Sequence, residues 1–271
     1  MIDFYKEISF VKLKDDNWLA NQRIAATIAS QTIELLSDLV LNKTELSLLE
    51  LNNKAEEFII KNNGVPTFKG YKGFPAGVCI SVNEQLVHGI PSSYSLKQGD
   101  IVSFDLGVTY NQAIADTAVT WIYGESVNNN HIKLIDSCRD SLYAGIKSIA
   151  VGKRLGVIGN AVFKTAKNYN MNVITDYGGH GLDNDKPHAP PFVANRSSPD
   201  DGIRIQKGLT VAIEPMLTLG DSSTKILDDG WTVVTASIGA HFEHSVFVHE
   251  NCVEILTHNK FDKIEKFIYF K

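Results

Sequence analysis

Cysteine is scarce in this chain: Cys79, Cys138 and Cys252 are the only three among 271 residues. An odd number without framework spacing excludes a disulfide scaffold and points to a reducing compartment. Long apolar runs are missing as well, so no segment is expected to span a bilayer. The first residues, Met1-Ile2-Asp3-Phe4-Tyr5-Lys6-Glu7, lack the apolar centre of a signal peptide, and the cytoplasm is the expected location. Positive charge is in deficit: 26 Lys and Arg against 31 Asp and Glu leave a net charge of −5, which argues against DNA or an anionic membrane as partner. The one basic cluster, Lys260, Lys263, Lys266 and Lys271, interleaves with Phe261, Ile264, Phe267 and Ile268. It reads as a short amphipathic helix packed on the body, with a membrane or ribosome contact as the alternative. No Ser-, Gly- or Pro-rich linker divides the chain, so residues 1–271 are expected to form a single domain.

What is present is ordinary in bulk, with 44% hydrophobic and 21% charged residues, and specific in order. Apolar positions Trp18, Ala25, Ile28, Leu35, Leu36 and Leu39 recur at helical spacing over about 15–42. A second helix opens on the capping box Ser47-Leu48-Leu49-Glu50 and stops at Asn63-Gly64. Strand patterns follow over 78–82, 100–110 and 112–123, the last two forming a hairpin across Tyr110-Asn111. Helical spacing returns over about 131–151 and 157–169, then strands over 210–219, 231–237, 241–249 and 253–256. The stretch from Asp183 to Asp201, rich in Pro and Asp, reads as an irregular loop. Helix, helix, strands thus occurs twice, which suggests two similar halves although no residue-level repeat is visible.

Asp105 and Asp116 fall eleven residues apart on the two arms of the hairpin, where alternation and an inter-strand spacing of about 5 Å let them share one site. Glu214 and Glu243 each interrupt an apolar strand, and His180 stands among Gly178, Gly179 and Gly181, a backbone that permits close approach of a ligand. Four unpaired carboxylates in such surroundings would cost several kcal/mol each or be forced neutral. Two divalent cations match their charge and leave the imidazole as a neutral nitrogen ligand, so the pattern is that of a dinuclear metallohydrolase.

The order Asp105, Asp116-Thr117, Gly179-His180-Gly181, Ile213-Glu214-Pro215-Met216 and Phe242-Glu243-His244 resembles the methionine aminopeptidases of the pita-bread fold. The likeness extends over nearly the whole chain, through Gly73-Phe74-Pro75, Val78-Cys79-Ile80-Ser81-Val82-Asn83-Glu84, His88-Gly89-Ile90-Pro91 and Asp229-Gly230-Trp231-Thr232. The compact length looks like the bacterial type I form. This resemblance implies an α+β fold of two pseudo-symmetric halves, with a central curved antiparallel sheet flanked by helices. It implies five metal ligands, Asp105, Asp116, His180, Glu214 and Glu243. Asp116 and Glu243 would bridge two ions (Co2+, Mn2+, Fe2+ or Zn2+), with Asp105 on one and His180 and Glu214 on the other. The implied activity is removal of the N-terminal methionine from nascent proteins and peptides by a hydroxide held between the ions. Glu214 would shuttle its proton, His88 would bond the scissile amide, and His188 would stabilise the oxygen of the tetrahedral intermediate. Tyr71, Phe74 and Trp231 would line an apolar side-chain pocket, with Cys79 nearby as core packing. Transient ribosome association and a monomeric state complete the expectation.

The chain departs from the family in three places. His188 follows His180 one residue later than the family spacing, across Gly181-Leu182-Asp183-Asn184-Asp185-Lys186-Pro187; Phe68 stands where a small Cys is common; and His241 stands where Gln is common. Alternation puts His241 on the side of Glu243, a place from which it can support the ligands. The same five ligands serve Xaa-Pro aminopeptidases and prolidases, which commonly carry an extra N-terminal domain. A pita-bread binding protein without catalysis would typically have lost ligands, and all five are present here.

Overall fold

The computed structural model describes residues 11–125 and 128–270; the signal-peptide reading of Met1–Glu7 and the basic residue Lys271 lie outside them. Two helices come first, α1 (Asp16–Leu41) and α2 (Leu48–Lys61), then the short strands β1 (Val65–Pro66), β2 (Cys79–Val82) and β3 (Gln85–Val87), and the long hairpin β4 (Ile101–Tyr110) and β5 (Ala113–Ile122). A second helical pair, α3 (Asn129–Lys147) and α4 (Val157–Asn168), precedes β6 (Asn172–Val173), β7 (Gly178–Asp183), β8 (Lys186–Ala194), β9 (Thr210–Ile213) and β10 (Met216–Thr218). The chain closes with β11 (Thr224–Ile226), β12 (Val233–Thr235), β13 (Gly239–His241), β14 (Glu243–Val248), β15 (Cys252–Ile255) and β16 (Phe267–Tyr269). The two helix pairs each leading into strands give the doubled order expected from the sequence.

Local chemistry explains the boundaries. Asp15 caps α1 by accepting from the Trp18 amide at 2.8 Å. Ser47 and Glu50 form the reciprocal capping box of α2. Asn111 and Gln112 both hold positive φ in the turn between β4 and β5, the conformation that matches the twist of a two-residue hairpin. By length and composition α1 is apolar enough to cross a membrane, a property the sequence reading did not register. Its apolar residues Ala25, Ala29, Ile33 and Leu36 are instead buried against β4 and β5. Gln22, fully buried on the same helix, donates to the Ile114 carbonyl at 2.9 Å.

The main sheet is antiparallel and ten-stranded, with the order β1-β4-β5-β14-β9-β7-β8 and with β2, β15 and β16 attached at its sides. It curves as a half-barrel with helices packed against it, the pita-bread arrangement. Phe104, Leu106 and Val108 of β4 join the core that α1 and α2 build. Alternation sends Ser103, Asp105 and Gly107 to the opposite face.

Two expectations are corrected. Residues 183–201 are not wholly irregular: β8 occupies Lys186–Ala194 and pairs with β7. Pro187, Pro190 and Pro191 fit because β8 is the last strand of the sheet, where a missing N–H need not face a neighbour. The basic tail is not a helix either. Side-chain oxygens of Asn259 and Asp262 take the amides of Phe261 and Asn259 at 3.0 and 2.8 Å, making a turn in place of a first helical turn. Beyond it, β16 completes the free edge of β15. Lys260 pairs with Asp38 at 2.6 Å and Lys266 approaches Glu254 at 3.7 Å, so part of the tail's charge is answered within the molecule.

Candidate metal centre

Five neighbouring strands bring the expected ligands to one face. Asp105 lies opposite Ala118 in the β4–β5 register, which makes Asp116, two residues away, its diagonal neighbour on the same side. Glu243 faces the same Ala118 from β14. His180 of β7 is opposite Ala212 of β9, and Glu214 follows two residues on, just past the end of β9. Alanine at both shared positions leaves the space above the sheet to the polar side chains.

All five are buried. Asp116, His180 and Glu243 offer ligand atoms within 4.8 Å of one another. The His180 Nε2 atom is 3.9 Å from Asp116 Oδ2 and 3.4 Å from Glu214 Oε1. Asp105 Oδ1, Asp116 Oδ1 and Glu243 Oε1 are buried without a hydrogen-bond partner among the described residues. Buried oxygens are normally satisfied, so three orphans converging on one point call for a cation. Burial, reinforced by the neighbouring carboxylates, pushes Asp105, Glu214 and Glu243 well above the ordinary carboxylate range, and burial pushes Asp116 up to about 7. Burial also drives His180 down to about 3, keeping it neutral and able to donate a lone pair. The donor set therefore fits divalent metal, and the cluster is a metal-binding site.

These directions fix a pH dependence for the metal-free protein. The folded carboxylates hold protons more tightly than the unfolded chain, whose values lie near 4. Apo stability is therefore highest below about pH 4 for this cluster and falls as pH rises through the folded values, Asp116 near 7 among them. Between about pH 4 and 6.5 the buried histidines His88, His180, His188 and His241, held neutral by burial, act in the opposite sense, so the carboxylates are read above that range. Urea unfolding of chelator-stripped protein should give a lower stability at about pH 8.5 than at about pH 7, and Mn(II) should remove the difference. Equal apo stability at the two values would contradict the clustering of charge.

The glycines around His180 serve a purpose other than the one their sequence suggests. A Cβ on Gly179 would stand 2.2 Å from the Ala212 carbonyl, and one on Gly181 2.0 Å from the Pro190 carbonyl. The close approach is that of β9 and β8 to β7, not of a ligand. Gly181→Ala should cost about 3 kcal/mol or more, read as a loss of urea midpoint; an unchanged midpoint would show that the strands can part there at no cost.

Beside the cluster a cavity of about 260 Å³ is lined by Phe68, Tyr71, Phe74, Trp231, His88 and His188, among others. Phe74 and Trp231 meet edge to face at 5.2 Å, and Tyr71 lies 5.4 Å from His188. Cys79 also lines it, though buried beside Phe68 and Phe74. His88 follows β3 with φ of 59°, a backbone that non-glycine residues seldom adopt and that recurs at functional positions. The next residue is tied to β2: Gly89 N donates to Ser81 Oγ at 3.1 Å and its carbonyl accepts from Ile80 at 2.9 Å. The His88 ring packs against Tyr177 and Trp231, and burial lowers its pKa to about 4.

The longer run before His188 does not remove it from the site. The β7–β8 register shifts twice, after His180 and after Gly181, and absorbs the extra length. The His188 ring ends 4.6 Å from that of His180, exposed at the pocket mouth. The hairpin tip is held from outside: Lys14 pairs with Asp183, Trp18 Nε1 donates to Asn184 at 2.6 Å, and the Asp185 amide donates to the Gln112 carbonyl at 3.1 Å. Sequence reasoning missed Asp176, Tyr177, Phe192 and Met216, which also line the cavity. Closeness to the Gly178–Gly181 and Glu214 motifs could have pointed to Asp176, Tyr177 and Met216, whereas Phe192 reaches the site only through its register opposite His180.

A curved antiparallel sheet bearing four carboxylates and an imidazole at the floor of a pocket defines a metallopeptidase of the creatinase and aminopeptidase architecture. The model of metallopeptidase family M24 matches residues 20–250. The chain is 41% identical over 247 residues to the methionine aminopeptidase of Clostridium perfringens, covering 90% of this chain and 98% of that protein. It is 39% identical to methionine aminopeptidase 1 of Bacillus subtilis over 88% of this chain and 96% of the other. The crystal structure of the Thermotoga maritima methionine aminopeptidase superimposes with a TM-score of 0.87 at 34% identity, covering 91% of this chain and 99% of that one. The chain belongs to metallopeptidase family M24 and, within it, to the methionine aminopeptidases of bacterial type. The Pyrococcus furiosus prolidase, at 19% identity and a TM-score of 0.71, shares the fold alone.

Proposed function

We infer that this chain removes the N-terminal methionine from peptides and nascent proteins by metal-dependent hydrolysis of the first peptide bond. The observation that carries the reading is the set of three orphaned, buried carboxylate oxygens beside a neutral imidazole, in a largely apolar pocket. Asp105, Asp116, His180, Glu214 and Glu243 would hold two divalent ions. The ions, when bound, supply Lewis acidity and lower the pKa of water toward about 7.

The protein's own groups do the rest. Phe74, Trp231 and Tyr71 would enclose the methionine side chain and exclude water from the reacting bond. Glu214, whose carboxylate lies 3.4 Å from His180 Nε2 at the edge of the cluster, would accept the proton of the attacking water and return it to the departing amine. His88, just past β3, and His188 of β8 both line the cavity. The first would hold the scissile amide nitrogen and the second would donate to the carbonyl oxygen as charge develops there. Asp105 would hold the free amine of the substrate, which would restrict cleavage to the first residue. This work on newly made chains fits a cytoplasmic protein that acts as one catalytic domain.

Purified protein supplied with Mn(II) should release methionine from Met-Ala-Ser and leave formyl-Met-Ala-Ser and Ala-Pro peptides intact. Turnover of Ala-Pro in preference to Met-Ala-Ser would replace the reading with a proline-directed peptidase.

A further inference from the structure

His241 is the least exposed histidine around the centre, at 1%. It ends β13, the strand that leaves the main sheet to pair with β10. Its backbone is fastened at both ends of the residue: the amide donates to Thr120 Oγ1 at 2.9 Å, and the carbonyl accepts from that hydroxyl at 2.7 Å. Thr120 lies on β5, the strand of Asp116, and bonds Ser103 of β4 through its hydroxyl at 2.8 Å. The position of the His241 ring is thus tied to the two strands that carry Asp105 and Asp116. Among the described residues the ring itself makes no hydrogen bond through either nitrogen. A buried imidazole with both nitrogens unanswered is costly, and the nearest answering group is Glu214, whose Oε2 lies 3.4 Å from His241 Nε2.

Glu214 needs such a partner. It sits beyond the last paired residue of β9, so no ladder fixes its side chain; only its carbonyl is anchored, by Asn195 Nδ2 at 3.0 Å. Its two oxygens lie between two imidazoles: Oε1 is 3.4 Å from His180 Nε2 and Oε2 is 3.4 Å from His241 Nε2.

We propose that His241 is a positioning residue for Glu214, its Nε2–H holding Oε2 so that Oε1 is turned toward His180 and the metal centre. The proposal rests on the reading of Glu214 as ligand and proton acceptor. A neutral imidazole with hydrogen on Nε2 donates one bond. It fixes a carboxylate while adding no charge to a cluster that must attract cations. Groups placed behind metal ligands in this way commonly set affinity by about 10–100-fold.

Three proteins decide the matter: the wild type, His241→Leu, which keeps similar bulk without a donor, and His241→Gln, whose amide can reach the same oxygen. Each is stripped, checked for its melting temperature and titrated with Co(II) by calorimetry. The visible absorption of bound Co(II) is recorded, and kcat and KM for Met-Ala-Ser are measured. The Leu variant should bind Co(II) about 10-fold more weakly, with an altered cobalt spectrum and kcat lowered more than KM is raised. The Gln variant should recover affinity, spectrum and kcat to within a few-fold. A Leu variant with wild-type affinity and spectrum would overturn the proposal. So would a Gln variant as impaired as Leu, because packing rather than donation would then be at issue. Should the Leu variant fail to fold, nitrogen-15 NMR of Zn(II)-loaded wild type decides instead. A slowly exchanging Nε2–H signal that vanishes in His241→Gln supports the bond, and its absence sinks it. If the wild type binds cobalt yet releases no methionine, the aminopeptidase reading fails while the three cobalt affinities still judge His241.

Discussion

Replacing Glu243 by Gln should abolish methionine release and, in the same protein, raise the stability of the metal-free state at pH 8. Both effects come from one removed charge. Glu243 faces Ala118 from the middle of the sheet, between Asp116 and Glu214, and its Oε1 atom has no partner among the described residues. With metal present, loss of this anion takes away a charged ligand at the heart of the cluster, and kcat/KM should fall by about 1,000-fold, or ~4 kcal/mol of transition-state stabilisation. Without metal, the same anion only repels Asp116, Glu214 and Asp105, the interactions that with burial hold its pKa high. Its removal should raise the apo melting temperature by several degrees at pH 8 and by less at pH 5, because burial and the neighbouring carboxylates raise its pKa and favour the protonated form as pH falls. A structural role for Glu243 would lower stability at both values. A Gln variant that is less stable than wild type in chelator would therefore contradict the metal-centre account even if activity were lost.

His88 gives the second large effect. His88→Ala should retain metal affinity, because the ring packs against Tyr177 and Trp231, and should lose about 100-fold in kcat with a smaller change in KM. The positive φ of His88 offers an alternative cause for any loss, namely a displaced backbone. His88→Asn separates the two, since Asn adopts this conformation readily but cannot reproduce the reach of the imidazole. Equal losses in Ala and Asn place the effect in the ring. Near-normal turnover in the Asn variant would move it to the backbone, and near-normal turnover in both would remove His88 from the chemistry.

The two helix pairs, the β4–β5 hairpin and the five clustered residues were legible because each is written in local chemistry. Ser47 and Glu50 announce a helix start, alternation carries Asp105 and Asp116 to one side of a hairpin, and charges inside apolar strands announce a partner. What stayed hidden depends on contacts between distant segments. Pro187, Pro190 and Pro191 read as loop because nothing nearby says that β8 will be an edge strand. The tail reads as a helix because its period is amphipathic, whereas the free edge of β15 and the turn at Asn259 and Asp262 make it a strand. The glycines at 179 and 181 signal tight quarters, but only the fold shows that strands, not a ligand, fill them. Tyr177 and Met216 join the cavity through the same long-range folding and carry no mark of their own. For α1, composition alone would allow a membrane span, and only its packing on β4 and β5 shows where its apolar residues go.

The central claim is that the buried carboxylates are a metal centre whose task is to free an N-terminal methionine. Its most direct test is to strip purified protein with chelator, restore Mn(II), Co(II), Fe(II) or Zn(II) separately, and measure free methionine from Met-Ala-Ser alongside bound metal. The account predicts no release from stripped protein, release on restoration of at least one ion, and loss of that release in Glu243→Gln. Metal bound at the centre with no methionine released under any ion would contradict it.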